Sequence, residues 1–288
     1  MATLIELIKV LRERTGAGMM DCKKALVENG EDVEKAIDWL REKGIAKAAK
    51  KSSRIAAEGA TYVTYCDDCH KTLIFEINCE TDFVGKSPAF LQLVKDCANT
   101  IMNTEIHCID CCKKAVEPLF NDAVIKMGEK LDFRRYEIIN TTAENGVGTY
   151  IHMGGKISVV VVLENNNPEL AKGLAMTIAA TNPTYISKDD IPEDVVARET
   201  AVQLESAKND PRLAGKPEAA LAKIVEGKVN KALAESIALE QEYVLDPSKK
   251  IKDVLGSNKI LKFVRYQVGE GLEKRVDNFA EEVMNQAK

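Results

Sequence analysis

The sequence is organised around Glu76-Ile77-Asn78-Cys79-Glu80-Thr81-Asp82-Phe83-Val84-Gly85-Lys86, which joins a predicted strand to a predicted helix. Upstream, 72–77 is rich in β-branched and aromatic residues, which are typical of a strand. Downstream, Ser87-Pro88 is a good N-cap followed by proline at the first helical position. We therefore expect Asp82 and Phe83 on a loop. There the ring either folds onto its own core or faces a partner, and the core is favoured because most Phe residues are buried.

The strand pattern around this stretch occurs twice. Thr61-Tyr62-Val63 opens a strand-turn-strand pattern that ends at Asn78, and Thr149-Tyr150-Ile151 opens another that ends at Asn165. A helix with one apolar face follows each pattern, at 87–103 and 168–180, and a later strand at 133–138 resembles 263–268. The two opening strands, at Thr61 and Thr149, begin 88 positions apart, whereas the two later strands begin 130 positions apart. The second copy therefore contains 42 extra residues. These repeats predict an α+β fold with a duplicated core and antiparallel sheets.

The extra residues of the second copy form a recognisable unit. Two helical patterns, 192–208 and 217–234, are separated by the Asn209-Asp210-Pro211 break, which predicts an antiparallel helical hairpin. Its apolar positions either pack against one another or form a homodimer interface; they are Val195, Val202, Leu221 and Val225.

The first 54 residues predict a module of three short helices. Its first helix has Leu4, Leu7, Ile8 and Leu11 on one face, the second ends at Asn29-Gly30, and Gly44 is expected to close the third. Met19 and Met20 follow the first break, and a methionine pair is more often core filler than a contact surface. Residues 41–54 are strongly basic, but no aromatic residues interleave the charges, so a solvated linker helix is favoured over an RNA site.

Composition limits the class of protein. The chain has 288 residues, 45% hydrophobic and 30% charged, enough for one large or two to three smaller domains. A net charge of -5 argues against broad nucleic-acid or membrane binding. Charged residues interrupt the N-terminal apolar pattern, and the longest apolar run, Val159–Leu163, is too short to span a bilayer. We expect a cytoplasmic protein.

Eight cysteines are expected to be reduced thiols, most of them small core residues. Cys66-Asp67-Asp68-Cys69-His70 matches a haem-attachment pattern, and Cys66 and Cys69 with Cys108 and Cys111 would supply four zinc ligands beside His107. However, the first pair falls where a hairpin turns. A zinc or thiol redox protein is therefore a minor alternative, and we expect no metal.

Recognisable catalytic machinery is absent from the sequence. No Gly-Lys pair has the upstream glycine of a phosphate-binding loop, the three histidines are scattered, and no Gly-x-Ser-x-Gly motif occurs. We expect a binding protein rather than an enzyme, with no cofactor and no direct nucleotide binding.

Two stretches resemble a known family. Residues 11–26, with Thr15-Gly16-Ala17-Gly18-Met19-Met20 at their centre, and residues 76–86 are similar to the two signatures of translation elongation factor Ts, the guanine-nucleotide exchange factor of elongation factor Tu. The resemblance extends over the duplicated core, the helical hairpin and residues 268–274. Two departures are Gly85, where the family usually has alanine or serine, and the turn from Cys66 to His70.

The resemblance implies roles for particular residues. Asp82 and Phe83 would enter the nucleotide domain of elongation factor Tu near its magnesium and phosphate sites, which reverses the expectation of a buried ring. Thr81 and Val84 beside them would also contact this partner. The other implied contacts are Met19, Met20 and Lys23 on another face of that domain, and His152, Val244 and Leu245 towards a distal domain.

The resemblance also implies a domain organisation. Residues 1–54 would form a ubiquitin-associated-like helical module and linker, 55–140 the first core subdomain, and 141–288 the second. The second would include the hairpin at about 187–235 and a C-terminal helical module at about 270–288. A ubiquitin-associated-like adaptor is the other alternative, but it rests on the N-terminal helices alone and leaves the core unexplained.

Overall fold

The structure, a computed structural model, describes residues 2–213 and 216–273. Three helices come first: α1 (Leu4–Thr15), α2 (Met19–Glu28) and α3 (Val33–Lys51). Thr3 and Glu6 form a capping box at the start of α1, and Gly16 ends it in the left-handed conformation, with φ 68°. Leu11, Cys22 and Leu26 form part of the core that the three helices share. The predicted three-helix module is confirmed, while its likeness to a ubiquitin-associated module stays a prediction.

The predicted end of the third helix at Gly44 is wrong, because α3 continues to Lys51. Gly44 lies against Ile125 of α6 (Ile109–Met127), and a Cβ at Gly44 would come within 2.6 Å of that side chain. The glycine therefore allows the two helices to approach closely instead of stopping the first. As a result, most of the basic stretch 41–54 belongs to α3.

The first core repeat is a three-stranded antiparallel sheet with the order β1-β2-β3. Its strands are β1 (Glu58–Cys66), β2 (Lys71–Cys79) and β3 (Leu131–Asn140). Between β2 and β3 the chain forms α4 (Asp82–Gly85), α5 (Pro88–Met102) and then α6. Ser87 caps α5 with Pro88 in its first turn, as the sequence predicts.

The second repeat has the same design, with the sheet order β4-β5-β8 and antiparallel pairing. Its sheet and the helix that follows β5 comprise β4 (Gly146–His152), β5 (Ile157–Leu163), β8 (Ile260–Gln267) and α7 (Pro168–Thr181). Between α7 and β8 lie α8 (Glu193–Lys208), α9 (Glu218–Ala234), β6 (Glu242–Tyr243), β7 (Asp246–Lys250) and α10 (Ile251–Leu255). The predicted duplication and the inserted helical pair are both confirmed.

The two sheets pack face to face. Val63 and Ile74 of the first sheet meet Val160, Val162 and Val264 of the second in one apolar layer. The opposite face of each sheet is covered by its own helices, α5 and α6 on the first and α7 and α10 on the second. The core therefore has four layers, helix-sheet-sheet-helix.

The helical hairpin packs through only part of its predicted apolar set. Val225 is buried, and Val195 and Leu221 pack against the same cluster. Val202 is 55% exposed on α8, which excludes the first of the two options for this residue, packing inside the hairpin. A homodimer through this hairpin stays a prediction.

The predicted C-terminal helical module falls mostly outside the described residues. Of residues 270–288, the structure describes 270–273, which form turns rather than a helix. In the ranges 2–213 and 216–273, no helix is both long and apolar enough to cross a membrane. The proposed division into three domains stays a prediction.

Candidate functional site

The connection between β2 and α5 is a one-turn helix rather than the predicted loop. Thr81 is the N-cap of α4, and its hydroxyl accepts a hydrogen bond from the Val84 amide at 3.3 Å. Asp82 begins the turn, where a carboxylate is favoured by the partial positive charge of a helix N-terminus. Four residues cannot produce the apolar periodicity that marks a longer helix, so sequence reasoning missed this element.

Phe83 projects from this turn into solvent. Its side chain is 83% exposed, so the expectation from composition, a buried ring, is wrong at this position. The next residue, Val84, turns the other way and packs against the core of the first repeat. The local helix thus presents one apolar side chain to the core and its neighbour to the outside.

Asp82 pairs with Lys86 across the same turn, with 2.6 Å between carboxylate and ammonium. The hydrogen bond from Lys86 lowers the pKa of Asp82 below its ordinary value. The carboxylate is therefore charged throughout the neutral range, next to an exposed ring.

The backbone of the turn lies directly against strand β1. A Cβ at Gly85 would lie 3.2 Å from the Gly59 Cα and 3.4 Å from the Cys79 sulfur. A larger residue at Gly85 therefore needs its neighbours to shift by a few tenths of an ångström. At this departure from the family pattern, glycine lets the turn lie close to the sheet.

Met19 and Met20 lie at the start of α2 and not in the core. They are 58% and 73% exposed, so the core-filler interpretation is wrong. Met19 also borders an open groove of about 700 Å³ that includes Ile5 and Ile8 of α1. Lys23 is exposed one helical turn after Met19. These residues form a soft apolar surface with a positive charge at its edge.

The three predicted contact residues of the second repeat lie on two separate elements. His152 ends β4, and its Nδ1 lies 3.0 Å from the Tyr150 hydroxyl. Val244 and Leu245 form the turn between β6 and β7 and are 43% and 60% exposed. The structure places all three outside the apolar clusters but does not join them into one cluster with Phe83.

The cysteine pairs occupy separate turns. Cys66 and Cys69 flank the hairpin turn after β1, as predicted. Cys108 and Cys111 are bonded to each other, with 5.2 Å between their Cα atoms, so the expectation of reduced thiols is wrong for this pair. The first turn of α6 brings a Cys-x-x-Cys spacing within bonding reach. Within the described ranges, no three His, Cys, Asp or Glu side chains are grouped as metal ligands.

Residues 80–270, about two thirds of the chain, match the family described as Elongation factor TS. The chain belongs to the elongation factor Ts family. Members of this family are nucleotide exchange factors of elongation factor Tu. The matched range includes Thr81–Val84, the second sheet and the helical hairpin, whereas Met19, Met20 and Lys23 precede it.

Sequence reasoning also missed the long-range contacts of two acidic residues, one on β2 and one directly before β3. Glu76 lies on β2, where its buried carboxylate accepts hydrogen bonds from Arg134 and Arg135. Glu129 precedes β3 and accepts hydrogen bonds from the residues just before α4. Both contacts join residues about 50 or more positions apart, which no local pattern reveals.

Proposed function

We propose that this chain releases GDP from elongation factor Tu by inserting Phe83 and Asp82 beside the magnesium and phosphate sites of that GTPase. The observation that carries the proposal is the 83% exposed ring on a turn that is capped and packed against the sheet. An isolated large apolar side chain on a firm support is what a buried anchor requires before its partner arrives. Thr81 caps the turn and Val84 holds it to the core.

Exchange of this kind needs no proton transfer. The factor favours a conformation of its partner in which the nucleotide is held weakly, and by linkage the bound nucleotide weakens the grip of the factor to the same extent. A thousandfold weakening of GDP corresponds to about 4 kcal/mol of coupling. An aromatic anchor with dispersed contacts supplies free energy of that order.

We further propose that two other surfaces hold the partner while Phe83 acts. Met19, Met20 and Lys23 would contact the nucleotide domain, and the second repeat would contact a distal domain through His152, Val244 and Leu245. The exposure of the two methionines and of Val244 and Leu245 supports these assignments. Large contacts away from the nucleotide site would supply affinity, leaving the ring to act on the nucleotide.

The test is release of fluorescent GDP from elongation factor Tu in a stopped-flow instrument, with wild type and Phe83→Ala. We expect the variant to accelerate release about a hundredfold less, which is about 2.7 kcal/mol. Its melting temperature should not change, because the ring contributes little to the core.

Leu261→Ala is the matched control, since Leu261 is 51% exposed on β8 and lies outside the proposed contact surfaces. It should release GDP as wild type does. Equal release by Phe83→Ala and the control would refute the assignment of the ring. Failure of wild type to accelerate release would refute the proposed function itself.

A further inference from the structure

The loop between α6 and β3 passes beneath the turn that carries Phe83. Gly128 ends α6 in the left-handed conformation, with φ 72°, and so reverses the chain towards the end of β2. The following residue, Glu129, is half-buried and comes directly before Lys130 and β3.

The Glu129 carboxylate binds the two residues that precede α4. One carboxylate oxygen accepts the backbone N–H groups of Glu80 and Thr81, each at 3.0 Å. The other accepts the Thr81 hydroxyl at 2.6 Å. Hydrogen bonds to an ionised carboxylate are shorter and stronger than neutral ones. Three donors on adjacent residues therefore converge on one side chain.

This contact fixes the cap of the helical turn. A threonine hydroxyl has one proton, and here it is directed to Glu129, which leaves the oxygen free to accept the Val84 amide. The orientation of the Thr81 side chain is thus set by Glu129 on one side and by α4 on the other. Phe83 lies between the two residues that this hydroxyl connects, Thr81 and Val84.

Further hydrogen bonds connect the loop after α6 to Glu80 and to Arg54. The Glu80 carboxylate accepts the backbone N–H of Lys130 at 2.6 Å, and Arg54 lies 3.2 Å from the same oxygen. The Lys130 ammonium in turn donates to the Arg54 carbonyl oxygen at 2.8 Å, and the Lys51 ammonium donates to the Gly128 carbonyl oxygen. The loop is therefore joined both to the turn of Phe83 and to the end of α3.

The same carboxylate also affects the pKa of the neighbouring Cys79 thiol. Burial raises the pKa of Cys79 to about 12, and the negative charge of Glu129 acts in the same direction. Cys79 remains a neutral thiol and donates to the Thr81 carbonyl oxygen at 3.1 Å. The Glu129 carboxylate therefore lies close to the end of β2.

We infer that Glu129 is a positioning residue for nucleotide exchange, holding Glu80 and Thr81 so that the turn aims Phe83 at the partner. This inference rests on the proposed function. Glu129 makes no contact with the partner in this role, so its loss should misdirect the ring without removing any binding surface. A misplaced group of this kind lowers the rate of the assisted step more than it lowers affinity.

The experiment measures GDP release from elongation factor Tu at increasing concentrations of wild type, Glu129→Ala and Glu129→Gln. We expect Glu129→Ala to lower the maximal release rate about tenfold, with a half-saturating concentration within about twofold of wild type. Glu129→Gln should recover part of the rate, because its amide oxygen still accepts one set of N–H donors. Glu117→Ala, at an exposed glutamate of α6, is the matched control and should match wild type.

Amide hydrogen exchange on the same variants provides a readout independent of the partner. Glu129→Ala should speed exchange in residues 80–86 while the strands of both sheets stay protected. Unchanged exchange there, or a maximal rate equal to that of Glu117→Ala, would overturn the inference. If wild type accelerates release and Phe83→Ala does not, but Glu129→Ala behaves as wild type, only the positioning role fails. If wild type itself is inactive, the proposed function fails first.

Discussion

The two core repeats share a sheet design but differ in the connection that leaves the central strand. In the first repeat, residues 80–87 separate the end of β2 at Cys79 from Pro88 of α5. In the second, residues 164–167 separate Leu163 from Pro168 of α7. The connections are eight and four residues long, and the difference equals the length of α4. Both end in a capped helix with proline in its first turn.

The exposed ring is therefore an addition to a scaffold that does not need it. The second repeat connects the same elements without a helical turn and presents no comparable aromatic side chain there. A second difference lies on the central strands. Thr61 pairs with Glu76 in the first sheet, and Thr149 pairs with Val160 in the second. The first repeat has a buried carboxylate where the second has an aliphatic side chain.

The largest effect is expected from giving the first repeat the residue of the second, Glu76→Val. The change leaves Arg134 and Arg135 without their shared carboxylate and removes the acceptor of the Gly269 amide, 2.7 Å away. Breaking a buried ion pair from one side costs about 4 kcal/mol of unfolding free energy. Urea denaturation of wild type and Glu76→Val measures this loss of unfolding free energy.

Val160→Ala is the matched control at the equivalent position, and it should cost about 2 kcal/mol through the cavity alone. A Glu76→Val variant no less stable than this control would mean that the buried carboxylate does not distinguish the two repeats.

The next effect is expected from shortening the first connection to the length of the second by deleting Asp82–Gly85. The fold should survive, with a loss of about 1 kcal/mol from the Val84 contact with the core. Acceleration of GDP release should fall at least a hundredfold, as the ring and its neighbouring acid are both gone. Melting curves and stopped-flow release test the two parts separately. A deletion variant that still accelerates release would show that exchange does not depend on the added turn.

The smallest effect is expected from Asp82→Ala, which keeps the ring. Release of GDP should slow about tenfold at most, because an exposed carboxylate contributes less than a buried anchor. Lys86 lowers the pKa of Asp82, so the carboxylate becomes protonated only below the ordinary range of aspartate. The ratio of wild-type to variant rates should therefore stay constant between about pH 6 and 8. A ratio that changes across this range would mean that Asp82 titrates near neutral pH, and it would contradict the lowered pKa.

Local sequence signals predicted the elements that repeat. The paired strand patterns, the Ser87-Pro88 helix start and the inserted hairpin are all confirmed, because each depends on residues close together in the chain. The same signals failed at Gly44, where a helix stop was expected and a close contact with Ile125 occurs instead. A glycine that ends a helix and one that admits a neighbour look alike in sequence.

The candidate site was predictable only in part. Its two central residues, Asp82 and Phe83, follow from the resemblance of the surrounding stretch to the family signature. The supporting acid Glu129 does not, since the residues that it binds, Glu80 and Thr81, lie about 50 positions earlier in the chain. Periodicity reports which face of an element is apolar, and it carries no information about which buried donors converge on a carboxylate.

The apolar layer between the two sheets gives the repeats a mutual dependence. Each sheet shields the apolar face of the other from solvent. The shielded residues include Val63 and Ile74 on the first sheet and Val160 and Val162 on the second. A chain cut between Asn140 and Gly146 would yield two fragments, each with a bare aliphatic face that aggregates alone. Mixed together, the fragments should reassemble by complementation, because each covers the apolar face of the other.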